Sequence, residues 1–300
     1  MITKLDDMFT HLKSLPSKRL VAAFANDAHT IGAVNKAVEM GLIEATLVGD
    51  KNAIATVCEK EDIDITRFRI VHETDEMKAA RTAVALINRG EGAILMKGLV
   101  STDKYMRAIL DKENGLLPPR AVLSHVTVME NPNYHKLLFY GDVAIIPQPE
   151  LKEKIAITNY VIKAAQALGV EKPKVAVIAA TEQVSPKMPA CVDAALISKM
   201  ADRGQINGAY IDGPLALDVA IDKESAEIKK LGGEVAGNAD CLVFPNIESG
   251  NVFYKTNTKL AKSELGAMLV GAKVPAVLSS RGDSIKTKLY SIALAALSAR

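Results

Sequence analysis

Short apolar runs alternate with longer segments of helical periodicity along most of the chain. Residues 20–25, 45–48, 67–71 and 93–96 read as strands, each followed by an amphipathic segment, at 30–40, 52–60, 75–88 and 102–110. The same rhythm returns at 174–179 and 191–203, then at 242–244 and 250–265, with 250–265 read as helical. Near the end, the apolar run 276–278 gives way to a helical pattern opened by Asp283 and Ser284 and carried to Arg300. Alternation of this kind predicts an α/β protein with largely parallel sheets. One stretch breaks it. Residues 121–128, 136–140 and 143–146 are three extended runs with no helix between them, separated by Asn131-Pro132-Asn133 and by Gly141-Asp142. They predict hairpin-connected antiparallel strands. They follow a Gly115 to Pro119 segment suited to a crossover between domains. The expected organisation is two open α/β domains with mixed, largely parallel sheets. The first spans 1–118 plus 270–300 and is therefore discontinuous; the second spans 119–269.

Composition narrows the class. Apolar residues make up 49% of the 300 positions, ample for two cores, and the formal net charge of +2 suggests neither a nucleic-acid nor a membrane surface. No apolar run approaches the length of a bilayer span. The first fifteen residues carry acids and lack a continuous apolar stretch, which argues against a signal peptide. Cys58, Cys191 and Cys241 are odd in number and widely spaced, resembling neither a disulfide framework nor a zinc site, and a reducing cytoplasm is expected.

Several familiar signatures are missing. There is no GxxxxGK[ST], no CxxC and no HExxH, and Gly232 to Gly237 has the wrong spacing for a dinucleotide fingerprint. Three polar constellations remain, each after an apolar run. In the first, the strand at 276–278 enters Ser279-Ser280-Arg281-Gly282-Asp283, where free N–H groups and a guanidinium could grip an anion. The same turn could equally be a capped helix start, with Asp283 or Ser284 as the cap. In the second, Phe244-Pro245-Asn246 leads through a Gly/Asn/Ser turn to Asn251 and Lys255. In the third, Met96-Lys97-Gly98 leads through Ser101 and Thr102 to Arg107, so that Thr102 and Arg107 could reach a ligand at a helix N-terminus. Ordinary capped loops and a solvated arginine explain these last two as well. Asp218 and Asp222 sit four residues apart, as a cation-binding pair or a structural one.

Taken together, these blocks resemble the phosphate acetyltransferase and phosphate butyryltransferase family. Asp212 to Asp218 is similar to its D-G-E-L-x-x-D segment, and Val235 to Asn251 to its V-A-G-x-A-N and F-P-D-L-N-A-G-N blocks, continued by Tyr254-Lys255. Ser280-Arg281-Gly282 matches its S-R-G turn, and Thr102 with Arg107 its T-x-x-x-x-R segment. The sequence style is closest to the butyryltransferase branch. The resemblance implies reversible transfer of an acyl group, butyryl or another short chain, between CoA and inorganic phosphate, by direct thiolate attack. It also implies a fold like isocitrate and isopropylmalate dehydrogenases with an interdomain cleft, a homo-oligomer, usually a dimer, and no permanently bound cofactor or metal, CoA being a substrate.

On this reading Arg281 faces the carbonyl or phosphate oxygen and Ser280 donates to the developing charge or thiol. Arg107, Thr102 and the first N–H groups of their helix hold phosphate, Ser101 and Lys97 also bind substrate, and Asn251 and Lys255 border the cleft. The acetyltransferase branch carries an aspartate after its S-R-G turn that is thought to act as base. Counting places Thr287 there, and threonine cannot do that job at neutral pH. Asp283 is the nearest candidate base. Phosphate acetyltransferase activity, a metal-dependent decarboxylating dehydrogenase and a non-catalytic CoA sensor are the alternatives.

Overall fold

The computed structural model describes residues 2–278 and 283–299. The chain divides into two compact units, Leu5–Leu123 with Gly266–Arg300, and Met1–Lys4 with Ser124–Leu265. The first is called the N-terminal unit and the second the central unit.

The N-terminal unit begins with α1 (Asp7–Leu12) and then alternates β1 (Lys18–Ala23), α2 (Ala28–Glu39), β2 (Ile43–Gly49), α3 (Lys51–Lys60), β3 (Phe68–His72), α4 (Glu76–Asn88), β4 (Ile94–Lys97) and α5 (Thr102–Ile109). Each junction into a helix has its own cap: Asp27, Asp50, Asp75 and Ser101 accept from the amides of Thr30, Asn52, Lys78 and Lys104. These caps satisfy first-turn N–H groups and stop each strand cleanly.

In the central unit, β5 (Ser124–Glu130) and β6 (Leu138–Gly141) are followed by α6 (Leu151–Ala167), β7 (Lys174–Ile178), α7 (Pro189–Asp202), β8 (Tyr210–Leu215), α8 (Leu217–Ile221), α9 (Lys223–Ile228), β9 (Cys241–Val243) and α10 (Ile247–Lys259). The chain then forms β10 (Glu264–Val270), β11 (Ala276–Val277) and α11 (Ile285–Ser298), the last two within the N-terminal unit.

In the N-terminal unit the strand order is β3-β2-β1-β4-β11-β10, parallel except for the β10–β11 pair. The central unit runs β5-β6-β9-β7-β8, parallel except for β5–β6. Sheets of this kind are buried on both faces, which is why residues 20–23 of β1, 94–96 of β4, 138–140 of β6 and 241–243 of β9 read as unbroken apolar runs. The core of the central unit is built around Tyr140, Phe244 and Phe253, whose rings meet edge-on or tilted at 5.2–6.1 Å.

Three expectations about the elements need correction. The region 121–146 holds one antiparallel pair, β5 with β6, and no third strand. The Asp142 carboxylate accepts from the amides of Ala144 and Ile145 at 2.7 and 2.9 Å and folds 143–146 into a turn instead. Residues 250–265 are not one helix: α10 ends at Lys259, and Glu264 already belongs to β10. The alternation also passes over α6 and β8. β8 carries Gly213 and Pro214, residues that weaken a strand pattern, and Pro214 is tolerated because β8 is the last strand of its order.

α11 is seated closely on β10. A Cβ built on Gly266 would lie 2.7 Å from the backbone carbon and oxygen of Tyr290. Gly266→Ala should therefore lower stability by roughly 1–3 kcal/mol, read as a drop in the urea midpoint. An unchanged midpoint would show that this helix can shift freely.

Candidate active site

In an open α/β sheet, ligands collect at the carboxyl edge where the strand order reverses. In the N-terminal unit β1 leads to β2 on one side and has β4 on the other, so the reversal lies between β1 and β4. The register pairs Ala23 of β1 with Lys97 of β4, and Val277 of β11 with Met96 of β4. The segments leaving β1, β4 and β11 therefore start side by side.

Lys97 ends β4, is 7% exposed, and has its Nζ 3.2 Å from the Gly98 carbonyl oxygen. Gly98 and Leu99 then zip onto the end of β1, donating their amides to Ala23 and Phe24 at 2.9 and 2.8 Å. Only glycine fits here, because a Cβ at residue 98 would come within 2.6 Å of the Phe24 carbonyl oxygen. Ser101 caps α5 through its Oγ, and its own amide donates to Glu76 Oε1 at 2.5 Å. Lys104 pairs with the other carboxylate oxygen of Glu76. These two donors, the Lys104 ammonium first and the Ser101 amide second, hold the Glu76 carboxyl below the usual glutamate range. Glu76 thereby ties the start of α4 to the start of α5.

Thr102 is the first residue of α5 and is exposed. Arg107 lies in the last turn, also exposed, with its Nε 3.0 Å from Asp103 Oδ2 one turn back. An ion pair this exposed is weak enough to open for a stronger anion. Tyr105, fully buried on the same helix, places its hydroxyl 3.3 Å from the Val277 carbonyl oxygen at the end of β11.

Ser280 and Arg281 lie outside the described residues, together with Ser279 and Gly282. Beyond them Ser284, not Asp283, caps α11, accepting the Thr287 amide at 3.1 Å. The Asp283 backbone oxygen accepts from Lys288 Nζ at 3.1 Å. In the central unit Asn251 and Lys255 sit on α10, which follows β9 at that unit's own reversal point, between β9 and β7. Asn251 Nδ2 donates to the Val143 carbonyl oxygen at 3.1 Å, whereas Lys255 is exposed.

A model of the family described as Phosphate acetyl/butaryl transferase matches residues 69–296. The phosphate butyryltransferase of Clostridium acetobutylicum is 48% identical, covering 99% of this chain and 98% of that protein. The phosphate acetyltransferase of Rhizobium meliloti is 39% identical over 98% of this chain and 93% of its own length. A branched-chain phosphotransacylase from Enterococcus faecalis V583 superposes with a TM-score of 0.82 at 30% identity, covering 94% of this chain and 98% of that one. The chain belongs to the phosphate acetyl/butyryltransferase family.

Within this member of the phosphate acetyl/butyryltransferase family, the N-terminal unit gathers Lys97, Ser101 and Thr102 at one sheet edge and directs β11 to the same edge. Sequence reasoning missed Glu76, Lys104, Tyr105 and Lys288, whose roles arise from contacts with segments remote in the chain. The Asp218–Asp222 pair does not act together. Asp218 faces Lys229 at 3.2 Å, while Asp222 caps α9 by accepting from Ser225. Among the described residues no group of three or more His, Cys, Asp or Glu is placed to hold a metal ion. All three cysteines are buried, and burial pushes the Cys58 and Cys241 thiols up. None is suited to carry an acyl group. Among the described residues no helix is long and apolar enough to cross a membrane. A cavity of about 510 Å³ lies between α4 and the end of α5, lined by Arg81, Asn88, Ala108 and Asp111, and none of the candidate residues lines it.

The Glu76 clamp carries a pH signature. Its carboxyl is depressed in the folded chain, so the stability it confers is complete above the unfolded glutamate range. That stability drains away as pH falls through the lower folded value. Glu76→Gln should therefore be less stable than wild type at pH 7, and the gap between the two urea midpoints should narrow as pH falls below the unfolded glutamate range. A gap that does not narrow on acidification would assign the loss to packing rather than to the charge.

Proposed function

We propose that this protein transfers an acyl group reversibly between CoA and inorganic phosphate, with butyryl or another short chain as the acyl group. The observation that carries the site assignment is the parallel register of β1, β4 and β11, which starts the Lys97–Thr102 segment beside the strand that feeds Ser280 and Arg281. Family membership supplies the reaction, and the sheet edge supplies a place for it.

The chemistry asks for three things. A thiol with an ordinary pKa of about 8.5 must lose its proton, because the thiolate is the nucleophile. Negative charge must be stabilised on the carbonyl oxygen as the thiolate adds to the carbonyl carbon. The C–O bond to phosphate then breaks, and the departing phosphate needs cations and N–H donors. Arg281 and Ser280 answer the second need. Lys97, Ser101, Thr102, Arg107 and the first-turn amides of α5 answer the third. Asn251 and Lys255 would contact CoA or acyl phosphate from α10. Ser284 supplies the cap of α11, and Asp283, the carboxylate next along the chain from the S-R-G segment, is the proposed base. Direct attack fits the burial of every cysteine. The proposed working form is a homo-oligomer in the cytoplasm that holds no resident cofactor.

Phosphate acetyltransferase activity is the second reading, supported by the acetyltransferase relative of similar length. Acyl-chain choice rests on pocket volume, where one methylene is worth only about 1–3 kcal/mol. A phosphate-dependent thiol-release assay across acetyl-, propionyl-, butyryl- and isobutyryl-CoA separates the two. Release should be fastest with butyryl- or isobutyryl-CoA, unaffected by EDTA, and abolished in Arg281→Ala. Equal rates in wild type and Arg281→Ala would sink the site assignment, and acetyl-CoA as the best substrate would favour the second reading. Asp283→Ala should lower turnover by roughly 10²–10⁴-fold if Asp283 is the base. Undiminished turnover would remove that role.

A further inference from the structure

The cavity between α4 and the end of α5 takes no part in the acyl-transfer reading. Its volume, about 510 Å³, is that of a small-molecule pocket. Val84, Ala85 and Ala108 give it an aliphatic wall, and Val84 and Ala108 are themselves buried.

Some of its polar groups are already committed to holding the walls. Asn88 accepts from Lys273 Nζ at 2.6 Å through Oδ1 and donates from Nδ2 to the Asn114 carbonyl oxygen at 2.7 Å. Arg89 pairs through Nε with Glu91 at 2.6 Å. The cavity is therefore shaped before anything enters it. Two charged groups are left over. Asp111 receives the amides of Asn114 and Glu113 on Oδ1, at 2.8 and 3.1 Å, and its Oδ2 has no hydrogen-bond partner among the described residues. The Arg81 guanidinium makes neither a hydrogen bond nor an ion pair among the described residues. The two are nonetheless close enough to interact. The amides of Asn114 and Glu113, and then the Arg81 charge, hold the Asp111 carboxyl below the usual aspartate range.

This pairing of charges selects the ligand. A plain anion drawn to Arg81 would be opposed by Asp111, and a plain cation drawn to Asp111 would be opposed by Arg81 and Arg89. A molecule carrying both charges on neighbouring atoms satisfies both groups at once. Its carboxylate takes the guanidinium fork, and its ammonium donates to Asp111 Oδ2. An aliphatic side chain then covers Val84, Ala85 and Ala108.

We propose that this cavity is a binding site for an aliphatic α-amino acid in its zwitterionic form, separate from the site of acyl transfer. Nothing in the inference depends on how the acyl-transfer site is read.

The test is isothermal titration of the full-length protein with three matched compounds. L-leucine carries both charges, 4-methylpentanoate only the carboxylate, and 3-methylbutylamine only the ammonium. Wild type is compared with Arg81→Gln and with Asp111→Asn, which keeps an oxygen for the two amides. Leucine should bind the wild type at one site. Each substitution, and the removal of either charge from the ligand, should weaken binding about tenfold or more, the effect of losing one charged hydrogen bond. Acyl transfer without leucine should be unchanged in both variants. If Asp111→Asn does not fold, Ala85→Leu, which fills the cavity from α4, takes its place. The inference is overturned if leucine does not bind the wild type more tightly than about 10 mM. Equal leucine affinity in the wild type and the folded variants also overturns it, since leucine then binds elsewhere. So does 4-methylpentanoate or 3-methylbutylamine binding as tightly as leucine, which would make the cavity a site for a single charge.

Discussion

The proposed site in the N-terminal unit depends on the parallel pairing of β1, β4 and β11. Parallel strands end on the same edge, so whatever follows one is set beside whatever follows the next. Here that rule brings together the loop after β1, the Lys97–Ser101 segment and the end of β11, the strand that precedes residues 279–282 in the chain. β11 joins the other two from the far end of the chain, a separation that no local turn could have bridged. The carboxyl edge also exposes first-turn amides of the helices that follow, which suits it to phosphate. The catalytic reading adds particular side chains to an edge that is already electrically suitable.

A second layer of contacts keeps that edge in shape. Glu76 joins α4 to α5 by taking both the Ser101 amide and the Lys104 ammonium. Gly98 lets the segment after β4 lie against the end of β1 without a side chain in the way. Tyr105 reaches from α5 to the last carbonyl of β11, and Lys288 from α11 to the carbonyl of Asp283. Apart from the Glu76–Lys104 pair, these contacts act on backbone, so the candidate binding groups Ser101 and Thr102 are directed mainly by the main chain. The exposed Arg107–Asp103 pair is the exception and the part most easily rearranged by a ligand.

The α/β alternation was legible because most strands here are buried on both faces and so appear as compact apolar runs before amphipathic helices. It failed where a side chain or a breaker overrode the pattern. Asp142 captured two amides and turned 143–146 away from a strand, and Gly213-Pro214 disguised β8. The overrun of α10 came from 260–265, where apolar and polar residues still fit helical spacing after the helix has ended. At the candidate site, the spaced blocks pointed to segments that follow strands into helices, as with Ser101 and Thr102 after β4 and Asn251 on α10 after β9. The supporting residues were illegible for a physical reason. Glu76 meets Ser101 across 25 positions and Tyr105 meets Val277 across 172, and neither pairing leaves a trace in local periodicity. Asp283 and Ser284 were equivalent caps on paper; the amide of Thr287 chose Ser284.

The central claim is that phosphate and the acyl group are handled where α5 begins and where β11 ends. A crystal structure of the protein with phosphate and CoA bound tests it most directly. The account predicts phosphate against the first-turn amides of α5, within hydrogen-bonding reach of Thr102, Arg107 and Arg281, with the CoA sulfur on the side of Ser280. Phosphate and CoA bound together at any place that leaves Thr102, Arg107 and Arg281 all without contact would contradict it.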